Sequence, residues 1–270
     1  MATAAKVNWE AAFQPLIKKY KGKQHPLDYK NTYQLMVMVI LSAQDSDRHI
    51  NSLAEPLFKA FPNMEALARA DYEALIPFVG KVRNSGNKMK WLMQIAQTLK
   101  TDKNIPLTLE ELTKLPGVGR KSANVILRES GKKAEGIIVD LHVVRVAPRI
   151  GVATGTDPKK IEQQLMAALP QKDWGEVGMA ISFLGRETCR PTNPKHAECV
   201  MKTHCELFAS MMKGGKKAVA PVEKKTTPAK KVAAKKSVVK KKTVKKAAPV
   251  KKAVAKKKTA VKKKAAVKKK

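Results

Sequence analysis

The chain has 270 residues and a formal charge of +33, but the excess is uneven: residues 213–270 hold 25 lysines and one glutamate, and the other 212 residues carry only +9. The longest apolar run, "LMVMVIL" at 35–41, falls well short of the ~20 residues a bilayer helix requires. "MATAAKVNWE" lacks the apolar core of a secretory signal, and three cysteines confined to 189–205 argue against a disulfide framework, so an intracellular protein with a sizeable core is expected.

Apolar residues recur at three- and four-residue spacing in "WEAAFQPLIKKY", "YQLMVMVILSAQ", "INSLAEPLFKAF", "MKWLMQIAQTLK", "LTLEELTKL", "SANVILRES", "LHVVRVAPRI" and "KIEQQLMAALP", which predicts an all-α body. The one strand-like stretch, "GIIVD" at 136–140, lies between helical patterns and reads as a connection. Thr108 and Glu111 have capping-box spacing, so a helix is expected at "TLEELTKL", stopped by Pro116. A second helix should run from Arg120 to Ser130 and end at Gly131. Between the two, Gly117 and Gly119 are expected to take backbone angles that a side chain resists. They also leave peptide N–H groups uncovered at a helix N-terminus, where a phosphate can bind. The alternative is a plain tight turn between packed helices.

"LPGVGRKSANVIL" at 115–127, followed by "VDLHVVRV" at 139–146, resembles the endonuclease III branch of the helix-hairpin-helix DNA glycosylases. "LSAQDSD" at 41–47 resembles that family's first DNA-contacting turn, and the likeness covers about residues 8–208. It implies the two-lobed HhH-GPD fold. Residues 25–133 would form a helical barrel with the hairpin, 134–210 a second lobe joined by the helix within 1–24, and 211–270 a disordered basic tail. The cleft between the lobes would hold double-stranded DNA with a damaged base or an abasic site. The implied activity is base-excision repair by a monomeric bifunctional glycosylase: an oxidised pyrimidine is flipped out, cut from its sugar, and the strand nicked by β-elimination.

The resemblance assigns roles residue by residue. Lys121 matches the family nucleophile, whose neutral amine attacks the sugar C1′ to form a Schiff base, a form that adjacent Arg120 and loss of water are expected to favour. Asp140 matches the carboxylate that stabilises positive charge on the sugar. The duller alternatives are a solvated first-turn cation or phosphate contact for Lys121 and an ordinary N-cap for Asp140. Gln44 matches the residue that fills the gap left by the flipped base. Gly117, Val118, Gly119 and Arg120 match the DNA-contacting hairpin. A second wedge loop falls in 79–90, with Lys81 where the family often carries an apolar or aromatic side chain. Leu141 stands where the family commonly has threonine. A monofunctional mismatch glycosylase is an alternative that Lys121 disfavours. A non-catalytic DNA-compacting protein is another, disfavoured by Lys121 and Asp140 together.

Cys189, His196, Cys199 and Cys205 keep the six-, two- and five-residue spacing of the family's four cluster cysteines, with one thiolate replaced by imidazole. The implied cofactor is a 4Fe-4S cluster with a histidine ligand; zinc or no metal are the alternatives. His204 is a spare ligand. The Lys/Ala/Val/Pro repeats after "MMKGG" at 211–215 resemble linker-histone tails and are expected to bind DNA phosphates without reading sequence. A solubilising or acidic-protein-binding tail is the alternative.

Overall fold

The computed structural model describes residues 7–213; from residue 214 on, the expected basic tail lies outside the described residues. Among the described residues there are twelve α-helices and no strand. In chain order they are α1 (Trp9–Tyr20), α2 (Thr32–Ser42), α3 (Asp47–Ala60), α4 (Met64–Ala68), α5 (Tyr72–Val79) and α6 (Ser85–Leu99). There follow α7 (Leu109–Lys114), α8 (Arg120–Glu129), α9 (Leu141–Ile150), α10 (Pro158–Ala168), α11 (Gln171–Glu187) and α12 (Glu206–Met212).

Side-chain caps set most of the starts. Asn8, Asn31, Ser46, Asn63, Asp71, Thr108, Asp140 and Asp157 each accept a hydrogen bond from a first-turn N–H. Each satisfies a donor that the helix itself leaves open. Thr108 performs its expected half of the capping box, accepting from Glu111 N at 3.3 Å, while its hydroxyl donates to Glu111 Oε2 at 2.7 Å.

The apolar run of α2 is buried from Leu35 through Leu41, and this helix packs against α3, α6 and α8. Around it α4 and α5 pack on α6, and α7 on α8. α11 lies against both α1 and α9, with α10 and α12 also on α9, and α8 touches α11. The core continues from one set of helices into the other.

The longest helix, α11, is missing from the periodicity reading. Val177 through Gly185 are all buried, so there is no polar stripe to give a period, and Gly175, Gly178 and Gly185 interrupt the pattern. Gly178 also has a positive use: a Cβ there would stand 2.5 Å from the carbonyl oxygen of Ile138. "GIIVD" is accordingly an extended, buried connection pressed onto α11, as expected, and not a strand. The last helix runs to Met212, two residues into the stretch assigned to the tail. No helix among the described residues is long and apolar enough to cross a membrane.

Candidate active site and nucleic-acid-binding hairpin

The hairpin begins where α7 ends at Lys114 and closes with Val118 N donating to Leu115 O at 3.2 Å. Gly117 sits at φ 77°, and a Cβ on it would meet the Trp91 ring at 2.4 Å, so both backbone and space demand glycine. Gly119 differs from the expectation. Its φ of −87° suits any residue and its missing Cβ faces open space, so glycine serves exposure there, not conformation. As N-cap of α8 it offers no side chain, leaving the first-turn N–H groups beside exposed Arg120 and Lys121 without a cap. Val118 is buried under the turn.

Arg120 is already engaged. Its Nε and Nη2 donate to Glu162 Oε2 and Oε1, each at 2.9 Å, and Asn124 Nδ2 adds a third bond to the same carboxylate at 3.2 Å. Glu162 is buried on α10, so this pair fastens the hairpin helix to the rest of the fold. The guanidinium charge is compensated there before it bears on the neighbouring amine.

Lys121 and Asp140 line one small cleft together with Asp47, Arg186, His25 and Met179. Its free volume is about 30 Å³, the share of one water molecule in the liquid. Asp140 Oδ1 accepts from His142 N and Val143 N, both at 2.9 Å, and Oδ2 accepts from the wholly buried Ser182 hydroxyl at 2.6 Å. The carboxylate is therefore the N-cap of α9 and a wall of the cleft at once. Leu141 beside it is 84% exposed.

Two further wall residues carry features that a sequence reading misses. Arg186 at the end of α11 pairs with Asp47 at the start of α3, 2.9 Å apart, across the cleft. His25 Nδ1 accepts from Leu27 N at 3.2 Å, which leaves its proton on Nε2. Burial pulls His25 down to about 4, against the opposing pull of Glu129 and Asp47, so the ring is neutral near pH 7. Nothing in "QHPLDY" marks either feature.

The two expected wedge loops are tied together. Gln44 is exposed and held at φ 62° just after α2. Next to it Asp45 Oδ2 accepts from Arg83 N at 3.0 Å, joining this turn to the loop that carries exposed Lys81 and buried Val82.

Residues 37–171 match the family described as HhH-GPD superfamily base excision DNA repair protein. The chain is 38% identical to the endonuclease III of Synechocystis over 194 residues, 70% of this chain and 88% of that one. It belongs to the endonuclease III family. The endonuclease III of Thermotoga maritima is 33% identical over 196 residues, 71% of this chain and 92% of the relative. Among solved structures, a non-covalent endonuclease III-DNA complex superposes with a TM-score of 0.67 at 28% identity, covering 75% of this chain and 96% of that one. The activity class is thus that of an endonuclease III, a DNA glycosylase and abasic-site lyase of base-excision repair.

The endonuclease III resemblance implies an iron-sulfur cluster, and the loop at 189–205 carries suitable donors. Cys189 and Cys205 are buried and Cys199 half-buried. Burial pushes the Cys199 thiol up, and the neighbouring Cys205 and Cys189 push it further. His196 stacks on Phe208 with ring centroids 5.4 Å apart, and its Nε2 is buried without a hydrogen-bond partner. Three thiols and an unpartnered imidazole nitrogen fit a four-ligand metal group in kind. Among the described residues, however, no three such side chains already converge on one point. Arg149 fastens the loop meanwhile, donating to Arg190 O at 2.8 Å, Pro191 O at 3.1 Å and Cys189 Sγ at 3.5 Å.

Proposed function

We propose that this member of the endonuclease III family removes oxidised pyrimidines from double-stranded DNA and cleaves the resulting abasic sites, with Lys121 as nucleophile and Asp140 as its electrostatic partner. The observation that carries the reading is the single cleft walled by both. The neutral Nζ of Lys121 attacks C1′ as the glycosidic bond breaks and the base departs with the bonding pair. The amine nitrogen then gives up a proton and the C1′–O4′ bond breaks, the ring oxygen leaving as a hydroxyl, to form the Schiff base; this acidifies C2′–H, and loss of that proton expels the 3′ phosphate. Asp140, held by three hydrogen bonds, faces the positive charge that develops on the sugar without having to reorganise.

DNA would lie between two lobes, residues 25–133 and residues 134–210 with the N-terminal helix. The uncapped start of α8 with Gly117, Val118 and Gly119 would receive a phosphate, Gln44 would fill the gap left by the flipped base, and Lys81 would lie along the duplex. Arg120 contributes mainly through Glu162. The protein would act inside the cell as a monomer, with its lysine-rich C-terminal segment adding sequence-independent affinity for DNA. The test is a duplex with one thymine glycol opposite adenine: strand cleavage should exceed that of an undamaged duplex by at least about a thousand-fold, a barrier difference on the order of 4 kcal/mol. Equal rates on both duplexes would remove the lesion assignment.

Cys189, His196, Cys199 and Cys205 would hold a 4Fe-4S cluster, which when bound supplies a redox-active structural clamp on the loop and takes no part in base removal. Protein purified without oxygen should be yellow-brown and contain about four irons per chain. His196→Cys should keep the iron and His196→Ala lose it. One zinc per chain, or no metal, would overturn the cluster.

A further inference from the structure

Lys88 is a buried cation that the chemistry leaves unused. It lies on α6 with 1% of its surface exposed, and its Nζ donates to Leu41 O at 2.7 Å and Ala43 O at 2.6 Å. These carbonyls lie at the C-terminal end of α2, which its own helix leaves short of donors and where the helix dipole favours a cation. The next residue is Gln44, whose φ of 62° a side chain resists.

The surroundings show what these bonds hold in place. Ala43 N donates to Ile40 O at a long 3.4 Å and Asp45 N to Ser42 O at 3.0 Å, so the backbone ties within the turn are few. On the outer side Asp45 receives Arg83 N, Ser46 N at 2.8 Å and the ring of His49 at 2.9 Å. Lys88 pins the turn from within the core and Asp45 pins it from the surface. Gln44 is left exposed between the two, its main chain held and its side chain free.

We infer that Lys88 is a positioning residue for base flipping: its Nζ, locked on the Leu41 and Ala43 carbonyls, holds the strained Gln44 turn so that the amide meets the duplex already aimed at the gap. The inference rests on the reading of Gln44 as the gap-filling residue. Lysine suits the task because a four-carbon stem spans from α6 to the end of α2 and delivers at least two donors at one point. A hydrophobic side chain of similar length, such as methionine, fills most of the same space and leaves both carbonyls unpaired. The turn then samples other conformations, and the ordering of Gln44 must come out of DNA binding.

Lys88→Met tests this in the full-length protein. Single-turnover excision of thymine glycol opposite adenine should fall on the order of 30-fold, as expected for a misplaced group remote from the chemistry. Cleavage of an abasic site in single-stranded DNA, where no opposite base is orphaned, should stay within about twofold. 2-Aminopurine placed opposite the lesion should lose its enzyme-induced fluorescence change. Lys88→Gln, which keeps an amide donor on a shorter stem, should give an intermediate loss and carries the comparison alone if Lys88→Met does not fold. Gln44→Ala supplies the second arm: it should slow duplex excision, and the Lys88→Met/Gln44→Ala double variant should be no slower than the worse single one. Equal losses on duplex and single strand would make Lys88 a mere structural support, and an undiminished duplex rate would dismiss it altogether. Either result with a defective Gln44→Ala sinks only the Lys88 inference. A fully active Gln44→Ala sinks the reading of Gln44 and the Lys88 inference with it.

Discussion

Sodium borohydride added to the protein on abasic duplex DNA should give a covalent adduct, and Lys121→Gln should give none. Reduction fixes the Schiff base between Nζ and C1′, and an amide cannot form that imine. Strand cleavage should drop by at least about a thousand-fold, on the order of 4 kcal/mol in barrier. Because Lys121 is exposed on the first turn of α8, the substitution leaves the core intact. Affinity for uncleavable abasic DNA should stay within a few-fold, since Gly117, Gly119 and the open helix start remain. This pattern separates catalysis from the duller role: a phosphate contact would lose affinity and keep its rate at saturation. Undiminished trapping in Lys121→Gln would remove the residue from the mechanism.

Gly178→Ala should damage stability and activity together. The added methyl meets Ile138 O at 2.5 Å and Ile138 N at 2.8 Å, main-chain atoms that no rotamer change can move aside. Overpacking of this kind costs about 3 kcal/mol, which for a body of this size lowers Tm by roughly 10 °C. Relief comes by pushing residues 137–139 off α11, and the next residue along is Asp140. A displacement of about 1 Å at that carboxylate should slow single-turnover excision about 100-fold, far more than a loss of stability alone would cause below Tm. Thermal melts and rates measured well below the transition distinguish the two effects. A variant that melts early but cleaves at the parent rate would show that Asp140 is held independently of the 137–139 segment.

The family resemblance reached the distant pair Lys121 and Asp140, which line one cleft, but what residue patterns could tell by themselves was local. The capped start at Thr108, the stop at Pro116 and the helix from Arg120 all rest on neighbours within a few positions, and they stand as expected. α11 was invisible because a helix buried on nearly every face has no amphipathic period. Arg120 looked like a free cation beside a phosphate site, and its partner Glu162 lies 42 residues away. Lys88 in "GNKMK" reads as one more surface lysine, since the carbonyls that receive it lie 45 and 47 residues earlier. Contacts of that range belong to the packed fold and leave no mark on the nearby sequence.

If the hairpin receives a phosphate as proposed, the glycine at the head of α8 makes folding and DNA binding share one equilibrium. Among the described residues eight helices finish their first turn with a side chain and four, α6, α8, α11 and α12, do not; in the proposed function the open start of α8 is the one that meets a phosphate. A phosphate seated there acts as a missing structural part, and at 100 times Kd its mass action adds about 2.7 kcal/mol to the folded state. Lys121, second in that helix, would then be steadied by the same phosphate that brings the strand to it. Amide hydrogen exchange at residues 120–122 would follow the search along undamaged duplex before any lesion is met.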